Sequence, residues 1–148
     1  MLSRIPWRRI ERAFQHQIRR RFFRLNSTHP YQIIDTDHEK VKQVLAKNHF
    51  STWHIISYYS DHEEFGGEQL NMRRIESLDP DGRFWQTHVR GFEHPDGFAV
   101  CPHFEMCPVE HPVAHLDREG LNVPIGMQTV SDIWEANGID VVEQSELH

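Results

Sequence analysis

The chain has 148 residues, 38% of them apolar and 26% charged, and a formal net charge of −6. That suits a single globular domain with a modest core, while no apolar run nears the ~18 residues of a membrane span and Gly and Pro are too few for a collagen-like or low-complexity chain. Two Cys exclude a disulfide-dense scaffold, and no secretory signal is legible, so the expectation is a cytoplasmic protein.

The charge is unevenly divided. Residues 1–25 hold eight Arg against one acid, Glu11, whereas the remaining chain is strongly acidic. A basic segment joined to an acidic body implies an arm that meets an anionic partner, or one that folds back on its own carboxylates.

Taken in order, residues 3–25 read as a cationic amphipathic helix, with Ile10, Phe14, Ile18, Phe22 and Leu25 at helical spacing between the Arg. Asn26 to Pro30 breaks it. Tyr31 to Ile34 suits a short strand, and Thr36-Asp37-His38-Glu39 opens a helix to Lys47 with Val41, Val44 and Leu45 inward. Four strand-like runs follow at Phe50–Tyr59, Gln69–Ser77, Phe84–Glu93 and Phe98–Glu105, separated by Gly-Gly or Pro-Asp-Gly connectors. A last helix from Val123 to Asn137 presents Met127, Val130, Ile133 and Trp134, with Gly138 as its stop. The expected fold is α+β: a four-stranded antiparallel β-meander flanked by helices and preceded by the cationic N-terminal helix. The expected divisions are 1–25 for the basic helix, 31–139 for the domain and 140–148 for a frayed acidic tail.

Hairpin register supplies a candidate site. Pairing Leu78 with Arg83 and Glu93 with Phe98 sets Arg73 opposite His88, His88 opposite His103 and Gln86 opposite Glu105. In that register Leu70, Met72, Trp85, Val89, Phe98, Val100 and Phe104 turn toward the core. The other face then carries a row His54–Arg73–His88–His103, with Asn71, Arg90 and Glu105 beside it. Imidazoles with a carboxylate suit a divalent metal such as zinc, and Arg suits an anion. The plainer alternative is a set of cross-strand polar pairs on a solvated face. A second metal candidate is the stretch Cys101, His103, Cys107, His111 and His115, although its Cys spacing is wider than that of familiar zinc sites.

Two functions follow. The first is a non-catalytic intracellular binding module whose Arg8, Arg9, Arg12, Arg19, Arg20 and Arg21 contact phosphate, on nucleic acid before an anionic membrane surface. The second is a small metal- or phosphate-handling hydrolase using His54, His88, His103, Arg73, Arg90 and Glu105 on the open face of the sheet. No Walker loop, dinucleotide fingerprint, nucleophile elbow or HExxH motif is present.

Overall fold

The structure, a computed structural model, describes residues 25–27, 29–52, 60–78, 80–107, 118 and 120–146. Among these residues the chain forms β1 (Leu25–Ser27), β2 (Gln32–Ile34), α1 (His38–Lys47), β3 (Ser51–Thr52), β4 (Ser60–His62), β5 (Gly66–Gly67), β6 (Leu70–Leu78), β7 (Phe84–His94), β8 (Gly97–Met106), α2 (Val123–Ala136) and β9 (Val141–Gln144). Neither helix is long and apolar enough to cross a membrane.

Both helices begin where a side chain replaces a missing backbone partner. The Asp37 carboxylate accepts the Lys40 N–H at 2.8 Å, and the Asn122 side-chain oxygen accepts the Ile125 N–H at 3.0 Å. Each buries one stripe: Val41, Val44 and Leu45 on α1, and Gly126, Met127, Val130, Ile133 and Trp134 on α2. Gly138, at φ 68°, closes α2 in the left-handed conformation that glycine adopts without penalty.

The sheet corrects the expected architecture. It has six strands in the order β3-β6-β7-β8-β2-β9, every neighbouring pair antiparallel, and is not a four-stranded meander. β2 pairs with β8 through Ile33 opposite Ala99, and β9 pairs with β2 through Gln32 opposite Gln144. Three-residue β2 shows little alternation, because all three of its residues are buried. Residues 141–144, read from sequence as part of an acidic tail, form its outer strand. Of the expected strand 50–59, the described part contributes only Ser51 and Thr52 to the sheet. The expected cationic helix lies outside the described residues, apart from its last residue, Leu25, which opens β1. A second, three-stranded sheet has the order β1-β4-β5, with β1 and β4 parallel.

Each face of the large sheet is covered. On one, α1 and α2 close over Leu70, Met72, Val89, Phe98 and Val100 to form the main core with Val44, Leu45, Val130 and Trp134. Phe98 fits there because Gly91 has no Cβ; one would stand 2.3 Å from its ring. The opposite face carries a smaller core of Ile33, Phe92, Ala99 and Cys101, against which Tyr31 and Phe65 pack. Phe65, from the turn between β4 and β5, stacks on His62 at 4.4 Å and ties the small sheet to the large one. The alternating polar residues of β6, β7 and β8 share this second face, where Asn71, Arg73, Gln86, His88, His103 and Glu105 are buried and Arg90 is partly exposed.

Candidate metal centre

The expected cross-strand pairs are present: Arg73 opposite His88, His88 opposite His103, Gln86 opposite Glu105 and Glu93 opposite Phe98. The first hairpin reaches this register by an unexpected route. Leu78 pairs with Phe84 rather than Arg83, and a bulge between Ile75 and Ser77 removes the offset before Arg73. Without that bulge Arg73 would fall on the other face.

His88, His103 and Glu105 are 4%, 5% and 7% exposed, so the row is not on an open face. Each offers a ligand atom within 4.8 Å of the other two. Glu105 lies between the rings, its Oε1 3.1 Å from His88 Nδ1 and its Oε2 3.1 Å from His103 Nε2. The two rings meet edge to face at 4.9 Å.

Neighbours hold these groups in place. His88 Nε2 lies 2.7 Å from Asn71 Oδ1, while the Asn71 amide nitrogen donates to Glu68 Oε1 at 2.8 Å and so fixes which way the amide points. Glu68 also accepts from Arg90 at 3.1 Å. Gln86 donates to Glu105 Oε1 at 2.9 Å, while its own amide oxygen is buried and accepts no hydrogen bond from any described residue.

Electrostatics separates the members. Burial pushes His88 down to about 3, against the opposing effect of its bond to Glu105, so the ring is neutral at physiological pH. For Glu105 burial acts upward, but the His103 imidazole beside it and the hydrogen bonds from His103 and His88 win and hold the carboxyl well below its usual range. Glu105 thus bridges the two imidazoles, and a divalent ion replacing the protons of these contacts would meet three ligand atoms already gathered.

His29, which sequence reasoning passed over as part of a chain break, stacks on His103 at 5.8 Å. Burial, then His103, Arg118 and Arg90, lowers it to about 4. Its carbonyl oxygen is 3.3 Å from His62 Nε2, and His62 Nδ1 accepts the Glu64 N–H at 3.1 Å. These bonds anchor the segment before β2 over the polar row. A single His between Thr28 and Pro30 gave no periodic signal by which to find it.

Arg73 is buried beside the cluster; burial lowers its pKa, while Cys107 and Glu105 favour its charge. The proposed Cys–His site is not assembled among the described residues. Cys101 packs in the smaller core, where burial raises its thiol to about 12. Cys107 is also buried, and neither Cys joins the His88–His103–Glu105 group. His54, His111, His115, Arg8, Arg9, Arg12, Arg19, Arg20 and Arg21 lie outside the described residues.

Comparison with known protein families, with curated proteins and with solved structures found no match to this chain.

Proposed function

We propose that this is a small metal-dependent hydrolase whose centre is a divalent ion, zinc or a first-row neighbour, held by His88, His103 and Glu105. The observation that carries the reading is the convergence of three buried ligand atoms within 4.8 Å of one another, with each Glu105 oxygen 3.1 Å from an imidazole nitrogen. Around an ion with bonds of about 2.0–2.2 Å, neighbouring ligand atoms stand roughly 3.0–3.5 Å apart, so both His–Glu edges already have a suitable length. The Asn71 oxygen on His88 Nε2 is the outer partner that metal-bound imidazoles use. Two nitrogens and one carboxylate leave positions for water, and a bound metal lowers that water's pKa toward about 7. The buried Gln86 amide oxygen offers such a water an acceptor.

Metal analysis of the purified chain, followed by calorimetric titration with zinc, tests the reading. Stoichiometric binding that is lost in both His88→Ala and Glu105→Gln is the expected result. A wild-type chain that takes up no divalent ion sinks the proposal.

The Arg-rich segment supports a second, separable proposal, an arm for nucleic acid, on the observation of eight Arg against one acid in residues 1–25.

A further inference from the structure

We infer that the outer edge of β9 is a docking site for an extended, basic segment of a protein partner, which adds a further strand to the large sheet and sets a Lys or Arg side chain in the cavity beside Trp134. This does not rest on the metal centre.

β9 ends the six-stranded sheet. Among the described residues it pairs with β2 alone, and all four of its residues are exposed, Val142 by 53%. A strand in that position keeps one row of backbone N–H and C=O groups for a newcomer. The edge is braced from behind. Buried Gln32 donates to Gln144 of β9 at 3.0 Å and to Ser131 of α2 at 2.7 Å, and it accepts from Trp134, so one side chain ties strand and helix together. Before β9 the Asp140 carbonyl accepts the Asp35 N–H at 2.9 Å, and beyond it the Ser145 N–H donates to the Tyr31 carbonyl at 3.0 Å. An edge fixed at both ends loses little freedom when a partner joins it.

Between α2 and the start of β9 lies a cavity of about 340 Å³, whose lining includes Ser131, Trp134 and Glu135 of the helix together with Ile139, Asp140 and Val141. A strand laid along β9 directs alternate side chains to this face of the sheet. The lining suits a long basic one, with its stem along Ile139 and Val141 and its charged end toward the exposed Glu135 and Asp140 carboxylates.

The surrounding charge selects the occupant. Residues 123–148 carry five acidic side chains, Asp132, Glu135, Asp140, Glu143 and Glu146, and no Lys or Arg. All five are exposed. A second copy of the chain pairing at this edge would bring two such sets together. Val142 also bulges, since Ile33 pairs with Glu143 and Ile34 with Val141. Charge and a bulge are the means by which an edge avoids pairing with copies of itself. To a basic strand the same carboxylates are attractive.

The test is fluorescence anisotropy of a labelled short peptide of alternating Arg and Val against the full chain, with its Glu–Val counterpart as control, and amide hydrogen exchange of the chain with and without peptide. Saturable binding of the Arg peptide alone, with slower exchange at residues 141–144, is the expected result. Glu135→Lys combined with Asp140→Lys should weaken binding by about tenfold or more. Glu39→Lys combined with Glu63→Lys, the same change of net charge at exposed positions elsewhere, should leave it nearly unchanged. Equal binding of both peptides, equal loss in both double variants, or binding without slower exchange at 141–144 marks diffuse attraction and overturns the inference. So does failure to bind. In that case protection of every amide of 141–144 in the free chain assigns the edge to the chain's own basic segment, or to a second copy if the mass in solution is doubled.

Discussion

Gly126, in the first turn of α2, lies directly behind His103: a Cβ placed on it would stand 2.4 Å from the His103 Cα. The ring of His103 faces the polar cluster on one side of β8, and the helix presses on its backbone from the other. Phe104 exchanges two backbone hydrogen bonds with Asn122, at 2.9 and 2.7 Å, which fixes the approach. Gly126→Ala is therefore expected to destabilise the fold by about 1–3 kcal/mol through overpacking against backbone that cannot rotate away. It should also weaken zinc binding, because His103 must shift. Chemical denaturation and metal titration of the variant check both effects, and an unchanged denaturation midpoint counts against the packing described.

Asn71 is expected to matter for metal affinity without touching the metal. Removing its oxygen with Asn71→Ala should weaken zinc binding roughly 10–100-fold, as loss of an outer partner of a ligating imidazole does. Asn71→Asp keeps an acceptor and should recover much of the loss. Equal zinc affinity in wild type and Asn71→Ala would show that His88 Nε2 needs no partner.

Acid should unfold the protein earlier than its carboxylates alone would require. His88 and His29 have folded-state values of about 3 and about 4, below their usual 6.5. Between those values and 6.5 the unfolded chain binds more protons, so stability falls as pH drops below about 6.5. Glu105 extends the loss: its folded value is depressed, so its stabilisation is present above about 4.5 and disappears below. Thermal melting of the metal-free protein should show a midpoint that declines from about pH 6.5 downward, with a shallower decline in His29→Asn. A midpoint constant from neutrality down to about pH 5 would contradict the neutral assignment of both rings.

Gln32 joins three elements at a fully buried position. Its amide oxygen accepts the Trp134 indole N–H at 3.2 Å, and its nitrogen donates to Ser131 at 2.7 Å and to Gln144 at 3.0 Å. Gln32→Leu leaves the buried indole without an acceptor and should cost about 1–3 kcal/mol in urea denaturation. Adding Trp134→Phe removes the orphaned donor and should recover part of the loss despite the smaller ring.

The Arg-rich segment makes its own prediction. If it is an arm for nucleic acid, replacing Arg19, Arg20 and Arg21 together by Ala weakens binding to mixed-sequence RNA and flattens its dependence on salt. Identical slopes before and after the change assign those Arg to another task.

Local pattern carried the hairpins and helices. The stripes of α1 and α2 and the alternation along β7 and β8 are properties of neighbouring residues, and the ladder from His94 to Trp85 follows from one turn. The pairing of Arg73 with His88 was reached although the turn before β7 is one residue longer than expected, because the bulge at Glu76 compensates. What local pattern does not encode is adjacency between distant segments. Nothing in Gln32–Ile34 announces that it lies between β8 and β9, or that Phe65 and His29 come to rest over the second face. A polar row on one side of a strand therefore looked solvated, since the groups that cover it come from other segments of the chain, such as His29 before β2 and Phe65 in the turn after β4.

The place of β2 between β8 and β9 has a consequence during synthesis. β6, β7 and β8 are consecutive and can zip together as each hairpin leaves the ribosome, but β2, made long before them, has no partner until β8 is complete. Even then its outer edge stays unpaired until residues 141–144 appear. For that interval the nascent chain exposes a strand edge beside the apolar Ile33 and Ile34, a form open to pairing with other chains. Val141 and Val142 thus act last, as the strand that seals the sheet.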